Sequence, residues 1–120
     1  MNENKNIPFG RPQLDEKEIE AVVKVLSGTH LTHGPVTKQF EEEFARRAGS
    51  RHAISVSSCT AGLHLSLFVN GICSGDRVAV PAMTHVATAH AVEFCGATPV
   101  FIDVDPKTGN MDPEKLAEQV

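Results

Sequence analysis

Charged residues are almost absent from the middle of this 120-residue chain. Residues 1–51 carry eight basic and eight acidic side chains, whereas only Asp76, Arg77 and Glu93 are charged within residues 52–102. Ionised side chains are rarely buried without a partner, so a long stretch that lacks them is typical of a segment enclosed by other protein. A chain of this length can enclose only part of such a stretch by itself. We therefore expect it to be part of a larger subunit or to need a partner.

Composition and motifs exclude several classes of protein. The net charge of −4 argues against a nucleic-acid binder, which normally carries a basic surface. The longest uncharged run, residues 52–75, is interrupted by Ser, Thr, His and Asn, so no membrane span is predicted, and the first ten residues have no apolar signal core. Cys59, Cys73 and Cys95 form no Cys-x-x-Cys pair, which disfavours a disulfide framework and a zinc site. We expect a cytoplasmic location and no bound metal.

Two amphipathic helices are predicted within residues 1–50. The first covers residues 15–27, where Asp15 and Glu18 have the spacing of a capping box and Gly28 follows the end. Its apolar residues recur with helical spacing: Ile19, Val22, Val23 and Leu26. The second begins at Pro35 and ends at Gly49. We interpret residues 1–50 as an N-terminal helical segment.

From residue 51 the pattern changes to alternating strands and helices. Strands are predicted at residues 52–57, 78–81 and 99–104, and helices at residues 60–70 and 84–95. Asp112 and Pro113 begin a last helix, which is expected to be cut short by the end of the chain. This order, with few charges, favours an α/β fold with a mostly parallel sheet flanked by helices on both faces. Residues 51–120 are therefore interpreted as the first, incomplete β-α-β-α-β part of a larger domain.

Ligands of such sheets bind beyond the carboxyl ends of the strands, and the first of these ends is rich in small side chains. Residues 57–62 read Ser-Ser-Cys-Thr-Ala-Gly at a predicted strand-to-helix turn. The free N–H groups of a helix N-terminus attract a phosphate, and small side chains let it approach. The same residues could equally form an ordinary Ser/Thr cap. Neither a Walker loop nor a Gly-x-Gly-x-x-Gly motif is present.

The next two strand ends carry an imidazole and two carboxylates. His85 is expected one turn into the fourth predicted helix, where its ring could stack on a flat ligand or serve as a core or capping histidine. Asp103 and Asp105 are interpreted as turn and cap residues rather than as a catalytic pair.

Taken in order, these segments resemble the N-terminal part of the DegT/DnrJ/StrS family of pyridoxal-phosphate-dependent sugar aminotransferases. The matching stretches are IPFGRPQLDEKEIEAVVKVLSG, LTHGPVTKQFEEEFA, HAISVSSCTAGLHLSL, GDRVAVPAMTHVATAHAVEFCGATPVFIDVD and TGNMDPEKL. The resemblance begins at Ile7 and implies the N-terminal part of a type I aminotransferase-like large domain.

The resemblance also implies a cofactor site for pyridoxal 5'-phosphate (PLP). It assigns the phosphate cradle to the corner formed by Ser58, Cys59, Thr60 and Ala61. His85 occupies the position whose ring stacks on the pyridine ring, and Thr32 and His33 lie in a segment that borders the substrate pocket. Many members have Gly where Cys59 stands, so a Cβ could strain the backbone there.

The family's reaction implies chemistry that the chain does not carry by itself. The Schiff-base lysine, and the acidic residue that pairs with the pyridine nitrogen, are expected beyond Val120, so no catalytic residue is assigned within the chain. The substrates implied are a nucleotide-linked keto-sugar, which becomes an amino sugar, and an amino donor, expected to be glutamate. A homodimer is implied for the full-length protein, and the isolated chain is expected to be inactive.

Three alternatives stay open at this point. The family's dehydratase branch uses the same cofactor but replaces the lysine by histidine. A truncated or split gene would yield a non-catalytic partner chain, which the stop inside the last predicted helix favours. An unrelated phosphate- or nucleotide-binding α/β domain would bind nucleotide without PLP.

Overall fold

The computed structural model describes residues 8–119, which form five helices and two strands. The elements are α1 (Glu16–Leu26), α2 (Pro35–Ala48), α3 (Cys59–Val69), β1 (Arg77–Pro81), α4 (Ala87–Phe94), β2 (Thr98–Ile102) and α5 (Pro113–Ala117). The start of the family resemblance at Ile7 and the residue Val120 lie outside the described part. The chain forms two compact units, the first ending at Ser55 and the second beginning at Val56. The division at residue 50 remains a prediction about domains of the complete protein.

In the first unit, both predicted helices are confirmed by their end signals. The Asp15 side chain accepts the N–H of Lys17, and the Glu18 carboxylate accepts the N–H of Asp15, which is the predicted capping box. Pro35 opens α2, and Gly49 ends it in the left-handed conformation at φ 66°. The apolar stripe of α1 lies at the surface, since none of the residues of α1 is buried.

The strand predicted at residues 52–57 is wrong, because this segment has no regular secondary structure. The sheet of the described residues has two strands, β1 and β2, and neither pairs with this segment. The amide N–H of Ser55 donates instead to the Glu41 carboxylate at 2.7 Å. The amide of Ser55 is bonded to a side chain, and Ile54 is 79% exposed. The segment therefore lacks both the backbone hydrogen bonds to a neighbouring strand and the burial of side chains that stabilise a strand.

In the second unit, the predicted parallel pairing is confirmed. β1 and β2 run parallel in a register that places Arg77 opposite Thr98 and Pro81 opposite Ile102, and α4 connects them. α4 packs on both strands and on α3. Val80, Val92 and Ala97 form a small buried core between these elements. The predicted α/β class therefore holds for this unit.

α4 begins three residues later than predicted, so Thr84 and His85 precede it. The Thr84 hydroxyl lies 3.0 Å from that of Thr88, and His85 Nδ1 accepts the N–H of Ala87 at 3.1 Å. Side chains that bond the first turn from outside favour a non-helical backbone at their own positions. The prediction that His85 lies one turn inside the helix is therefore wrong.

The segment after β2 is a tight loop that returns to a short helix. Val104 and Met111 form an antiparallel bridge, and the Asp112 side chain caps α5. Asp105 is thus a turn residue and Asp112 is the cap of α5, both as predicted. α5 ends at Ala117, with Glu118 at its C-cap, before the end of the described residues. The predicted last helix is therefore confirmed over Pro113–Ala117.

Candidate functional site

The corner that precedes α3 is a capped helix N-terminus. Ser58 has an extended backbone (φ −162°, ψ 162°), and its Oγ accepts the N–H of Ala61 at 3.1 Å. The carbonyl of Ser58 accepts the N–H of Gly62 at the same distance. The interpretation of this corner as an ordinary Ser/Thr cap is therefore confirmed.

The cap uses only part of the donors at this corner. Within residues 8–119 the backbone N–H groups of Cys59 and Thr60 have no hydrogen-bond acceptor, and Cys59 is exposed. Free first-turn N–H groups and the positive end of the helix dipole favour an anion. The corner can therefore hold a phosphate beside the cap rather than in place of it.

Cys59 causes no backbone strain at this corner. It is the first residue of α3, and among the described residues other than glycine only His33 has a positive φ. A Cβ is therefore tolerated at position 59, and its amide stays available as a donor. The strain considered for a family position that is often glycine does not occur in this chain.

His85 lies in the exposed loop between β1 and α4, in the same unit as the corner. Its Nδ1 accepts the N–H of Ala87 at 3.1 Å, which leaves Nε2 without a role in the cap. His85 is therefore a capping histidine through its Nδ1 atom, which was one of the predicted interpretations. The exposed ring can still contact a flat ligand, so the stacking role stays a prediction.

Thr32 and His33 belong to the first unit. His33 adopts φ 49°, an uncommon conformation for a residue other than glycine. A cavity of about 430 Å³ lies nearby and is lined by Lys24, His30, Leu31 and Gly34, among others, but not by Thr32 or His33. Their place beside a substrate pocket stays a prediction.

The pKa shifts of the described residues lie outside the predicted site. The N–H of Lys17 and the Glu18 side chain lower the pKa of Asp15. The negative charge of Asp76 raises the pKa of the Cys73 thiol, and a hydrogen bond from Lys115 to Glu118 raises the pKa of that amine. Among the described residues, no group of three or more His, Cys, Asp or Glu could hold a metal ion, and no helix is long and apolar enough to cross a membrane.

Sequence reasoning missed one contact near His85. The Met83 methyl group, Cε, lies 3.0 Å from the position that a Cβ of Gly109 would occupy. The glycine and the methionine are 26 residues apart, and no periodicity or motif relates them. The signal that could have drawn attention to Gly109 is its place in the turn Lys-Thr-Gly-Asn.

The profile of the DegT/DnrJ/EryC1/StrS aminotransferase family matches residues 12–120. The chain belongs to this family. The resemblance of its motifs to DegT/DnrJ/StrS proteins is thereby confirmed. This DegT/DnrJ/EryC1/StrS chain is also 47% identical over 102 residues to the UDP-4-amino-4-deoxy-L-arabinose–oxoglutarate aminotransferase of Shewanella sediminis, a match covering 85% of the chain and 26% of the relative.

Solved structures extend the likeness to the fold. Spr1654 of Streptococcus pneumoniae, assigned as a sugar aminotransferase and solved in its PLP form, matches with a TM-score of 0.91 and 37% identity over 96% of the chain and 29% of its own length. A GDP-4-keto-6-deoxymannose-3-dehydratase matches with a TM-score of 0.87 and 31% identity over 96% of the chain and 31% of its own length. The predicted fold, the N-terminal part of an aminotransferase large domain, is confirmed. The DegT/DnrJ/EryC1/StrS chain spans less than a third of each of these three proteins.

Proposed function

We propose that the chain provides the phosphate cradle and the ring wall of a PLP-dependent sugar aminotransferase. The observation that carries this proposal is the pair of unpartnered N–H groups, those of Cys59 and Thr60, at the exposed start of α3. The resemblance to the family assigns its cofactor loop to this corner, and the chain belongs to that family. The described residues fit the cofactor because free N–H donors and small side chains occur together at this corner, and the same unit carries the exposed imidazole of His85.

Each residue of the site has a separate task in this proposal. The N–H groups of Cys59 and Thr60 bind the phosphate, while Ser58 keeps the first turn of α3 in place through Ala61. His85 covers one face of the pyridine ring, and its bond to the N–H of Ala87 limits rotation of the imidazole. When bound, PLP supplies an electron sink for the carbon that exchanges its amino group.

The proton transfers need groups that the chain lacks. The amine that exchanges with the substrate and shuttles the proton is a lysine, and the six lysines of the chain do not match the family's catalytic position. We place this lysine, and the acid that pairs with the pyridine nitrogen, beyond Val120. The 120-residue chain alone is therefore expected to bind cofactor weakly and to be inactive.

The proposed substrates are a nucleotide-linked keto-sugar and an amino donor, with glutamate as that donor. The support is the Shewanella relative, whose name specifies a UDP-linked amino sugar and oxoglutarate. We further propose that the complete protein is a cytoplasmic homodimer that binds neither nucleic acid nor a membrane. We also propose that Thr32 and His33 lie beside the sugar.

A second function, sugar dehydration, is supported by one observation. The chain is as similar in fold to a GDP-4-keto-6-deoxymannose-3-dehydratase as to many aminotransferases, with a TM-score of 0.87. The cradle and ring wall serve both reactions, because each needs the same cofactor in the same place. A lysine at the catalytic position of the complete protein favours transamination, and a histidine there favours dehydration.

The test separates the two contacts of His85 in the complete protein. In His85→Asn the amide oxygen can still cap the N–H of Ala87, but no ring is left to stack on the cofactor. In His85→Phe the ring is kept and the cap acceptor is lost. We expect His85→Asn to weaken PLP binding by roughly tenfold, which corresponds to about 1.4 kcal/mol and lies within the range of an aromatic contact. His85→Phe should bind PLP nearly as tightly as the original.

The readouts are the PLP dissociation constant and the absorbance spectrum of the bound cofactor. His90→Ala is the matched control, because His90 is an exposed histidine of the same unit that packs against Phe94. Equal PLP affinity in all three variants and the original would refute the stacking role of His85. Lower affinity in His85→Phe than in His85→Asn would assign the effect to the cap instead.

A further inference from the structure

The loop that carries His85 is attached to the strands and to α4 at its two ends. We call residues 82–86 the histidine loop. At its start, the N–H of Ala82 donates to the carbonyl of Ile102 at 2.8 Å, which extends the contact between β1 and β2 by one residue. At its end, the side chains of Thr84 and His85 bond to the first turn of α4. Met83, between these points, makes no backbone hydrogen bond within residues 8–119.

The side chain of Met83, unlike its backbone, contacts another segment of the chain. Its Cε reaches across to Gly109, 3.0 Å from the place where a Cβ would stand. Met83 is 65% exposed, so this contact is not part of the buried core. It joins the end of the first strand to the loop that follows the second.

Gly109 lies in a turn whose backbone is closed by hydrogen bonds. The carbonyl of Asp105 accepts the N–H of Gly109 at 2.8 Å, and the N–H of Asp105 donates to the carbonyl of Asn110 at 2.9 Å. The Asp105 carboxylate accepts the N–H of Lys107 at 2.6 Å. Because its groups are paired internally, this turn is a firm surface for a side chain that rests on it.

Two separate features favour glycine at position 109. Its φ of +71° disfavours any side chain, although Asn tolerates that conformation. The Met83 methyl adds a weaker restriction, because a Cβ at position 109 would stand 3.0 Å from it and this flexible side-chain end would have to shift by a few tenths of an ångström. The methionine thus fills the space that a side chain of residue 109 would take.

We propose that Met83 is a positioning residue that holds the histidine loop against Gly109 and so presents the ring of His85 to the cofactor. The role of the ring rests on the proposed function above, whereas the hold on the loop does not. A side chain with three rotatable bonds and a terminal methyl can follow a glycine surface closely. Small displacements matter, since a misplacement of about 1 Å can cost roughly 100-fold in a reacting site.

The test compares three variants in the complete protein: Met83→Ala, Gly109→Ala and the double variant. Gly71→Ala is the matched control, because Gly71 has a φ of +81° and no atom within 4 Å of a Cβ. An alanine at position 71 therefore has the same unfavourable positive φ as an alanine at position 109, but its Cβ does not contact Met83. One readout is the NMR shift of the labelled His85 ring without cofactor, and the other is the PLP dissociation constant.

We expect Met83→Ala to shift the His85 ring resonance and to weaken PLP binding by roughly tenfold. This loss is smaller than the roughly 100-fold that a misplacement of about 1 Å can cost. Gly109→Ala should shift the same resonance by a smaller amount, since the methyl can move aside. The double variant should match Met83→Ala, and Gly71→Ala should leave both readouts unchanged.

Two other results have distinct meanings. An unmoved His85 resonance in Met83→Ala would overturn the positioning role, whatever the PLP affinity. A shifted His85 resonance in Met83→Ala, together with unchanged PLP affinity in both Met83→Ala and His85→Asn, would support the hold on the loop and refute the cofactor role of His85.

Discussion

Single polar side chains near the candidate site act first as helix caps. Ser58 Oγ and His85 Nδ1 each accept the N–H of a residue further along the chain. The residue types alone could not separate a cap from a ligand contact, because both need an acceptor or donor at a helix start. The two roles are compatible in this geometry. The cap uses one N–H of α3, and those of Cys59 and Thr60 stay free within the described residues.

Removal of the Ser58 hydroxyl should loosen the first turn of α3. Loss of a serine cap costs about 1 kcal/mol, so amide exchange at Ala61 in Ser58→Ala should be roughly fivefold faster. Hydrogen exchange measured by NMR or mass spectrometry checks this. Ser66→Ala is the control, because the Ser66 hydroxyl donates to the Gly62 carbonyl within α3, a bond that adds little to a helix. Equal exchange rates in the two variants would contradict a stabilising cap.

The start of α4 illustrates a limit of sequence reasoning for single residues. The sequence predicted this helix but placed its beginning at Thr84, whereas the structure begins it at Ala87. The side chains of Thr84 and His85 bond to the helix from outside, and no spacing rule distinguishes this arrangement from a helical one. The Met83–Gly109 contact was equally invisible, since it joins two loops that are distant in sequence.

Whole elements were predictable where their signals are local. The capping box of α1 and the proline and glycine at the two ends of α2 lie within a few residues of the boundaries that they set. The strand predicted at residues 52–57 failed because a strand depends on a neighbour. In the described part of the chain no strand pairs with it, and the amide of Ser55 bonds to Glu41.

The capping box should make α1 sensitive to acid. The N–H of Lys17 and the Glu18 side chain hold the pKa of Asp15 below its ordinary value, so ionised Asp15 stabilises the folded helix start. This contribution is fully present above about pH 4, the ordinary range of Asp, and is lost as the pH falls through the lowered pKa. Carbon chemical shifts of the first turn of α1, followed from pH 7 to pH 2, provide the measurement.

Asp15→Asn is the control for this titration, since Asn is also a good helix cap but does not ionise. We expect the first turn of α1 to change much less with pH in that variant than in the original. The same pH profile in both proteins would show that Asp15 is not the group responsible.

At the scale of the whole molecule, much of the apolar surface stays uncovered. In the second unit the buried core is small, while Phe68 and Phe94 are 64% and 60% exposed. The low charge of residues 52–102 predicted that this region needs cover from other protein, and the described residues do not supply it. Exposed apolar patches of this kind favour association.

The 120-residue chain alone should therefore self-associate as its concentration rises. Sedimentation velocity over a range of concentrations measures this. Phe68→Glu should shift the distribution toward monomer, because it places a charge on an exposed apolar position of α3. Ser66→Glu adds the same charge at an exposed polar position of that helix and should have a smaller effect. A monodisperse monomer with one sharp unfolding transition would contradict the prediction.

The parallel pairing of β1 and β2 also sets an order of assembly during synthesis. Arg77 pairs with Thr98, only 21 residues later, so the closing loop is short and its entropic cost is modest. This pair can form as soon as β2 has left the ribosome. Within the part of the chain that the structure describes, no third strand pairs with either outer edge, so each edge offers unpaired backbone groups to a further strand.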